Sequence, residues 1–193
     1  MAKVAVLASG SGSNFQAIAE ALADQTRNPA GHQIVLLICD RPGAYCLERA
    51  RSLGVPSLVV AYARGGTTEI RQAAEKQMTA ALESAGVDLV VLAGFMRILT
   101  PLFVGRWKGK LVNIHPALLP RHPGAHGIAD SFASGDSQLG VTVHWVDEGV
   151  DTGTIIVQKS VARPPTLEEA EARIHALEHE LYPTTVLNLL GGK

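Results

Sequence analysis

Apolar residues cluster in short runs at positions 3–9, 33–39, 57–60, 88–93 and 110–114. Such continuous runs suit strands buried on both faces of a parallel sheet. Between them the apolar period changes to three and four. Phe15, Ile18, Ala19 and Leu22 mark a first helix. Residues 44–53 mark a second, closed by Gly54. Arg64, Gly65 and Gly66 make a loop. Residues 67–85 then form a long helix, with Glu69 in its first turn and Gly86 past its end. Thr100 and Pro101 open a short helix as N-cap and first residue. Later, residues 128–134 read as a short helix and residues 140–146 as an alternating strand. Residues 154–160 follow after one tight loop, so these last two strands are expected as antiparallel additions to the sheet. Thr166 and Glu169 form a capping box for a final helix that turns Leu167, Ala170, Ile174, Leu177 and Leu181 to one side. Pro183 is expected to kink or end it. With no repeat, low-complexity tract or linker, residues 1–193 read as one domain.

Composition narrows the class. Hydrophobic residues make up 47% and charged residues 18%, enough for a sizeable core and too apolar for disorder. The net charge of −1 carries no basic excess, so no nucleic-acid partner is expected. No apolar run approaches the ~18 residues of a membrane span, and 4–8 is too short for a secretory signal. A cytoplasmic protein without a membrane partner is expected. Cys39 and Cys46 match no metal or redox spacing and read as reduced, buried thiols.

The chemistry gathers at strand ends. In the segment 111–120, Asn113 and His115 are two apart, so an extended strand projects both to one side. An amide and an imidazole together suit acyl transfer, which must steady an oxyanion and move a proton. They could equally be a buried amide and a core histidine. Gly10, Gly12, Ser13 and Asn14 form a glycine-rich turn between a strand and a helix, suited to an anion such as phosphate. Ser13 or Asn14 could instead cap an ordinary turn. A dinucleotide fingerprint fits less well, because Phe15 stands where its third glycine would be. Asp151, in the acidic loop 147–153, either belongs to a polar turn or is placed to hold His115 and supply its counter-charge. Arg71 is a solvated arginine or a contact to an anionic ligand. Met96, Ile98 and Leu99 pack under the next helix or wall a pocket; composition favours packing. His144 either faces the site or is a satisfied core histidine, the second being favoured, and Glu178 reads as a solvated helix charge. His122 and His126 lie in a proline-rich loop that removes a helical metal geometry, so no metal is expected.

Taken together, Gly12-Ser13-Asn14, the segment 94–99, Asn113-Ile114-His115-Pro116 with Leu118-Leu119-Pro120, and Asp151-Thr152-Gly153 make the chain resemble the formyltransferase family over roughly residues 4–182. The resemblance implies an α/β fold: an open, mostly parallel twisted sheet, Rossmann-like, with helices on both faces and the antiparallel extension. It implies 10-formyltetrahydrofolate as formyl donor and co-substrate. The acceptor it implies is the glycine amine of glycinamide ribonucleotide, in purine synthesis. Asn113, His115 and Asp151 match the catalytic set. Gly12, Ser13 and Asn14 match the acceptor's phosphate loop, and Glu178 an acid that contacts the acceptor. Arg71, Met96, Arg97, Ile98, Leu99 and Asn113 fall to the folate side, with Asp147 and Glu148 from the late loop. The phosphate half is about 1–100 and the folate and catalytic half about 101–193. Small-molecule substrates and a monomer or homodimer are implied. The chain is expected to lack the extra domains of the family's deformylase and RNA-acting members. Departures are His122, where an aromatic is common, and Thr154, where proline is frequent. A formyl hydrolase, a transferase for another amine, and a non-catalytic nucleotide-binding module are the alternatives. The last would want an acidic ribose contact such as Asp40, but Pro42 and Gly43 follow it.

Overall fold

The structure is a computed structural model that describes residues 1–62 and 66–191. Arg64 and Gly65 of the expected loop lie outside the described residues. The chain runs β1 (Lys3–Ala8), α1 (Ser13–Ala23), β2 (Gln33–Cys39), α2 (Tyr45–Ser52), β3 (Ser57–Val59), α3 (Thr68–Ser84) and β4 (Leu89–Leu92). It continues α4 (Pro101–Arg106), β5 (Leu111–His115), α5 (Gly127–Ala133), β6 (Gln138–Trp145), β7 (Ile155–Ala162) and α6 (Leu167–Gly191). The strands form one seven-stranded sheet in the order β3-β2-β1-β4-β5-β6-β7. The first five are parallel. β6 and β7 add antiparallel at the β5 edge, as their single short connection requires.

Both faces of the central strands are covered, which is why their sequences are apolar without a break. On β1, Val4, Val6 and Ala8 face the layer of α1, α2 and α6, while Ala5 and Leu7 face α3 and α4. β4 divides likewise, Leu89 and Val91 to one side and Val90 and Leu92 to the other. At β5 only Val112 and Ile114 enter the α6 layer. Asn113 and His115, of opposite parity, are therefore turned to the other side.

Pro183 does not end the last helix, which continues to Gly191. The proline is buried, and Val186 and Leu190 beyond it are buried as well, so packing outweighs the missing N–H. Only half of the expected capping box forms. The Glu169 amide donates to Thr166 Oγ1 at 3.2 Å, while the Glu169 carboxylate lies 3.7 Å from Arg173. Leu167, expected on the buried face, is largely exposed.

Thr100 occupies the N-cap position of α4, but its hydroxyl does not cap the helix. It donates to Glu75, a fully buried acid on α3. The Thr100 amide and the Tyr62 hydroxyl each reach Glu75 Oε1 at 2.7 Å. Burial, then the Glu75 contact, pushes the Tyr62 phenol pKa above its ordinary range. One acid thus ties the far end of the loop that follows β4 to Tyr62, in the segment after β3. Glu75→Ala would leave the Thr100 amide and hydroxyl buried without this acceptor, and Tyr62 with Ile98 O alone. It should cost roughly 3 kcal/mol of stability. Urea unfolding measures it, and an unchanged midpoint would show that the acid does not hold this loop.

Candidate active site

The sheet reverses its winding at β1. The chain leaves β1 toward β2 and β3, then returns to the other side with β4. Ligands of open α/β sheets bind at such a reversal, outside the carboxyl ends of the strands. The loops that flank it are 9–12 after β1 and 93–100 after β4. They are stitched together: the Ser9 amide donates to Gly94 O at 3.1 Å, and the Met96 amide to Ser9 Oγ at 2.9 Å.

The glycine loop is built for close approach. Gly12, not Ser13 or Asn14, is the N-cap of α1, with φ 74. A Cβ at Gly12 would lie 2.5 Å from Cys46 Cβ and 2.9 Å from Cys46 Cα. The loop is braced from α2, where the Cys46 amide bonds Gly10 O at 3.0 Å and Arg49 Nε bonds Ser11 O at 2.9 Å. Cys46 and Cys39 are both free and buried, their sulfurs 3.5 Å apart. Burial and the Cys39 contact push the Cys46 thiol up to about 12. No side-chain cap occupies the start of α1, and the buried Asn14 Oδ1 has no partner. The geometry leaves the helix N-terminus open to an anion.

Two strands away, Asn113 and His115 end β5. The antiparallel register sets Asn113 opposite His144 and His115 opposite Thr142. His144 is buried, as favoured from the sequence, and it also faces the site, the other reading weighed there. Its Nδ1 donates to Trp145 O at 2.9 Å, leaving Nε2 3.4 Å from Asn113 Nδ2 and 3.6 Å from Asp151 Oδ1. Reading β6 as the hairpin partner of β5 would have placed His144 on the Asn113 side. Asp151 Oδ1 is also 3.5 Å from Asn113 Nδ2. Asp151 Oδ2 accepts the Gly124 amide at 2.8 Å and lies 3.4 Å from His115 Nδ1. The other ring nitrogen of His115, Nε2, donates to the His122 carbonyl at 2.7 Å. A carbonyl can only accept, so Nε2 carries a proton. Burial pushes the Asp151 carboxyl up, but His144, the Gly124 amide and the charge of His115 outweigh it, and the net pKa falls below its usual 3.8.

The remaining expected residues divide. Met96 and Ile98 are more than half exposed, against the packing favoured by composition, while Leu99 is buried. Arg97 is turned inward, its Nε 2.5 Å from the buried Asp40 carboxylate. Arg71 is half-buried with Nε unpartnered, and its charge, like that of Arg97, bears on Tyr62. It is not a plain solvated arginine. Asp147 turns its carboxylate onto its own loop, accepting from Thr152 Oγ1 at 2.7 Å and the Gly149 amide at 3.1 Å. Glu148 is exposed. Glu178 is buried on α6, not solvated, and lies 2.9 Å from His175 Nδ1. That contact, against the cost of burial, raises the His175 pKa. One turn on, Tyr182 donates to Leu92 O and Val112 O, pinning this part of α6 to β4 and β5. Among the described residues, no cluster of three or more His, Cys, Asp or Glu side chains is placed to hold a metal ion, and no helix is long and apolar enough to cross a membrane.

An open α/β sheet with an amide, an imidazole and a carboxylate at one strand end defines a group-transfer type of site. The chain belongs to the formyl transferase family, which it matches over residues 2–186. It is 41% identical over 193 residues to phosphoribosylglycinamide formyltransferase of Bacillus subtilis, covering 99% of this chain and 96% of that protein. It is 44% identical over 192 residues to the trifunctional purine biosynthetic protein adenosine-3 of Drosophila melanogaster. There it covers 98% of this chain but spans only 14% of the relative. The crystal structure of phosphoribosylglycinamide formyltransferase from Streptococcus pneumoniae TIGR4 superposes with a TM-score of 0.87 at 44% identity, over 98% of this chain and 99% of that one.

Two outcomes follow from the geometry. Gly12→Ala should destabilise the loop, since the added carbon meets the Cys46 backbone and the left-handed φ disfavours a side chain. A fall of several degrees in the thermal midpoint is expected, and an unchanged midpoint would refute the close approach. Asp151 has a lowered folded pKa, so its stabilisation is present above its unfolded value and lost as pH falls through the folded one. The gap in thermal midpoint between wild type and Asp151→Asn should therefore shrink as pH drops from neutrality through the usual carboxylate value of 3.8 and below it. A pH-independent gap would contradict this.

Proposed function

We propose that the chain transfers the formyl group of 10-formyltetrahydrofolate to the glycine amine of glycinamide ribonucleotide, in purine synthesis. The observation that carries this reading is the junction of Asn113, His115 and Asp151 beside an uncapped glycine loop. Similarity to proteins named phosphoribosylglycinamide formyltransferase supports the choice of substrates.

The acceptor's phosphate is assigned to Gly12, Ser13 and Asn14, and Glu178 to its glycinamide end. Folate is assigned to the loop 96–99, with Met96 and Ile98 offering exposed apolar surface, and to Arg71 and the loop bearing Asp147 and Glu148. Arg97, tied to Asp40, contributes through its backbone. The acceptor amine attacks the formyl carbon, and charge grows on the formyl oxygen. Asn113 donates to it from Nδ2. His115, with Nε2–H already given to the His122 carbonyl, donates from Nδ1 in its protonated, imidazolium form, in which Nδ1 also faces Asp151 at 3.4 Å. Asp151, ionised and close to both, receives the amine's proton directly or through a water and passes it on to the folate nitrogen as the C–N bond breaks. The N-terminal half holds the phosphate and the C-terminal half the chemistry. The setting proposed is cytoplasmic, with small-molecule substrates and no metal, nucleic-acid or membrane partner, as a monomer or homodimer.

Incubation with 10-formyltetrahydrofolate, with and without glycinamide ribonucleotide, tests the reading. Consumption of the donor should require the acceptor. Acceptor-independent consumption would mean a hydrolase, and none at all a binding module. His115→Ala should lower kcat on the order of 10³-fold while the ribonucleotide still binds. Near-normal turnover would remove His115 from the mechanism. Ser13→Ala and Asn14→Ala should raise the KM of the phosphorylated acceptor and leave that of folate unchanged.

A further inference from the structure

The loop between β5 and α5 does more than connect them. His122 O accepts from His115 Nε2 at 2.7 Å, and two residues on the Gly124 amide donates to Asp151 Oδ2 at 2.8 Å. One three-residue stretch, His122-Pro123-Gly124, thus touches both members of the His115–Asp151 pair.

That stretch is held in an unfavourable shape. Among the described residues, two non-glycine residues have left-handed backbones, His122 at φ 54 and Asp151 at φ 55. Both belong to this site. Such conformations persist where their surroundings over-determine them, and they collect at functional sites. Pro123 restricts His122 further. The constraint on His122 comes from its ring: Nε2 lies 2.8 Å from Asp136 Oδ2, in the turn after α5. Both side chains are largely buried, His122 at 17% and Asp136 at 10% exposure. Arg121 pairs with the other Asp136 oxygen, and Ser134 Oγ is 3.5 Å from the same ring nitrogen. The His122 ring is held by Asp136 and Ser134, while its backbone carbonyl bonds His115.

We propose that His122 and Asp136 are a positioning pair: Asp136 anchors the His122 ring, and the strap so fixed sets His115 and Asp151 against each other. The proposal rests on the roles given above to His115 and Asp151. It assigns a purpose to the histidine that departs from the aromatic common at this position. The imidazole nitrogen gives this strap a bond to the Asp136 carboxylate that a phenylalanine or tyrosine ring, without a ring nitrogen, could not make.

The test uses Asp136→Ala, His122→Phe and Asp136→Asn. The first two remove the anchor, and the third keeps a neutral acceptor for the ring N–H. Loss of the anchor should lower kcat about 10- to 100-fold, the scale of a small misplacement, with both KM values nearly unchanged. Asp136→Asn should restore most of the rate. In an Asp151→Asn background, Asp136→Ala should cost little more, because the strap acts through that pair. Independently of any turnover, the nitrogen NMR signals of the His115 ring in the ligand-free protein should shift in Asp136→Ala and His122→Phe, but not in Asp136→Asn. Unchanged His115 signals, or full additivity with Asp151→Asn, would overturn the proposal. If the wild type lacked formyl transfer but the His115 signals shifted as described, the reaction assigned would be wrong while the strap stood. Should Asp136→Ala fail to fold, His122→Phe, which keeps a ring of similar size, decides.

Discussion

The candidate site depends on one half-buried carboxylate. Asp151 must stay ionised while partly removed from water, a state that costs free energy unless donors replace the lost hydration. Four groups converge on it: the Gly124 amide, the His115 ring, the His144 ring and the Asn113 amide. They come from a loop, the end of β5 and the neighbouring strand β6. The position of each is thereby tied to the others through a common partner. The low pKa of Asp151 expresses the same balance, since desolvation is outweighed by its neighbours taken together.

The sheet makes that convergence possible. Reversal of winding at β1 opens a crevice between the loops after β1 and β4, and the hydrogen bonds from the Ser9 amide to Gly94 O and from the Met96 amide to Ser9 Oγ keep its walls in register. Outside those walls, α2 braces the glycine loop through Cys46 and Arg49, and Glu75 on α3 ties down the loop after β4. On the far side, Tyr182 bonds Leu92 O at the end of β4 and Val112 O within β5, and so fixes the part of α6 that bears the buried Glu178. Buried polar groups far apart in sequence therefore fix the loops, while the apolar layers fix the elements that bear them.

Several parts of this were legible in advance. The strand at 33–39 has the expected bounds, and the antiparallel placement of β6 and β7 followed from their short connection. The shared side of Asn113 and His115 followed from the two-residue period of a strand. His144 is at once a core histidine and a member of the site, because burial does not exclude a side chain from the carboxyl-end crevice. The burial of Glu178 and Glu75 is not legible locally, because an acid on a helix is ordinarily solvated, and the donors to Glu75 lie 13 and 25 residues away. Pro183 was read as a possible helix end from its missing N–H alone, although Val186 and Leu190 are buried beyond it.

Amino-acid order by itself determined the elements, the parallel core and the candidate residue types. These depend on local period, on glycine and proline, and on the length of connections, all of which are written in adjacent positions. The tertiary structure decided which polar atoms meet. Whether Arg97 faces a ligand or Asp40, whether Gly12 has room for a methyl group, and which carbonyl receives His115 are questions about separations of a few ångströms between residues far apart in the chain. Such separations are set only when the packed layers and the buried carboxylates settle together.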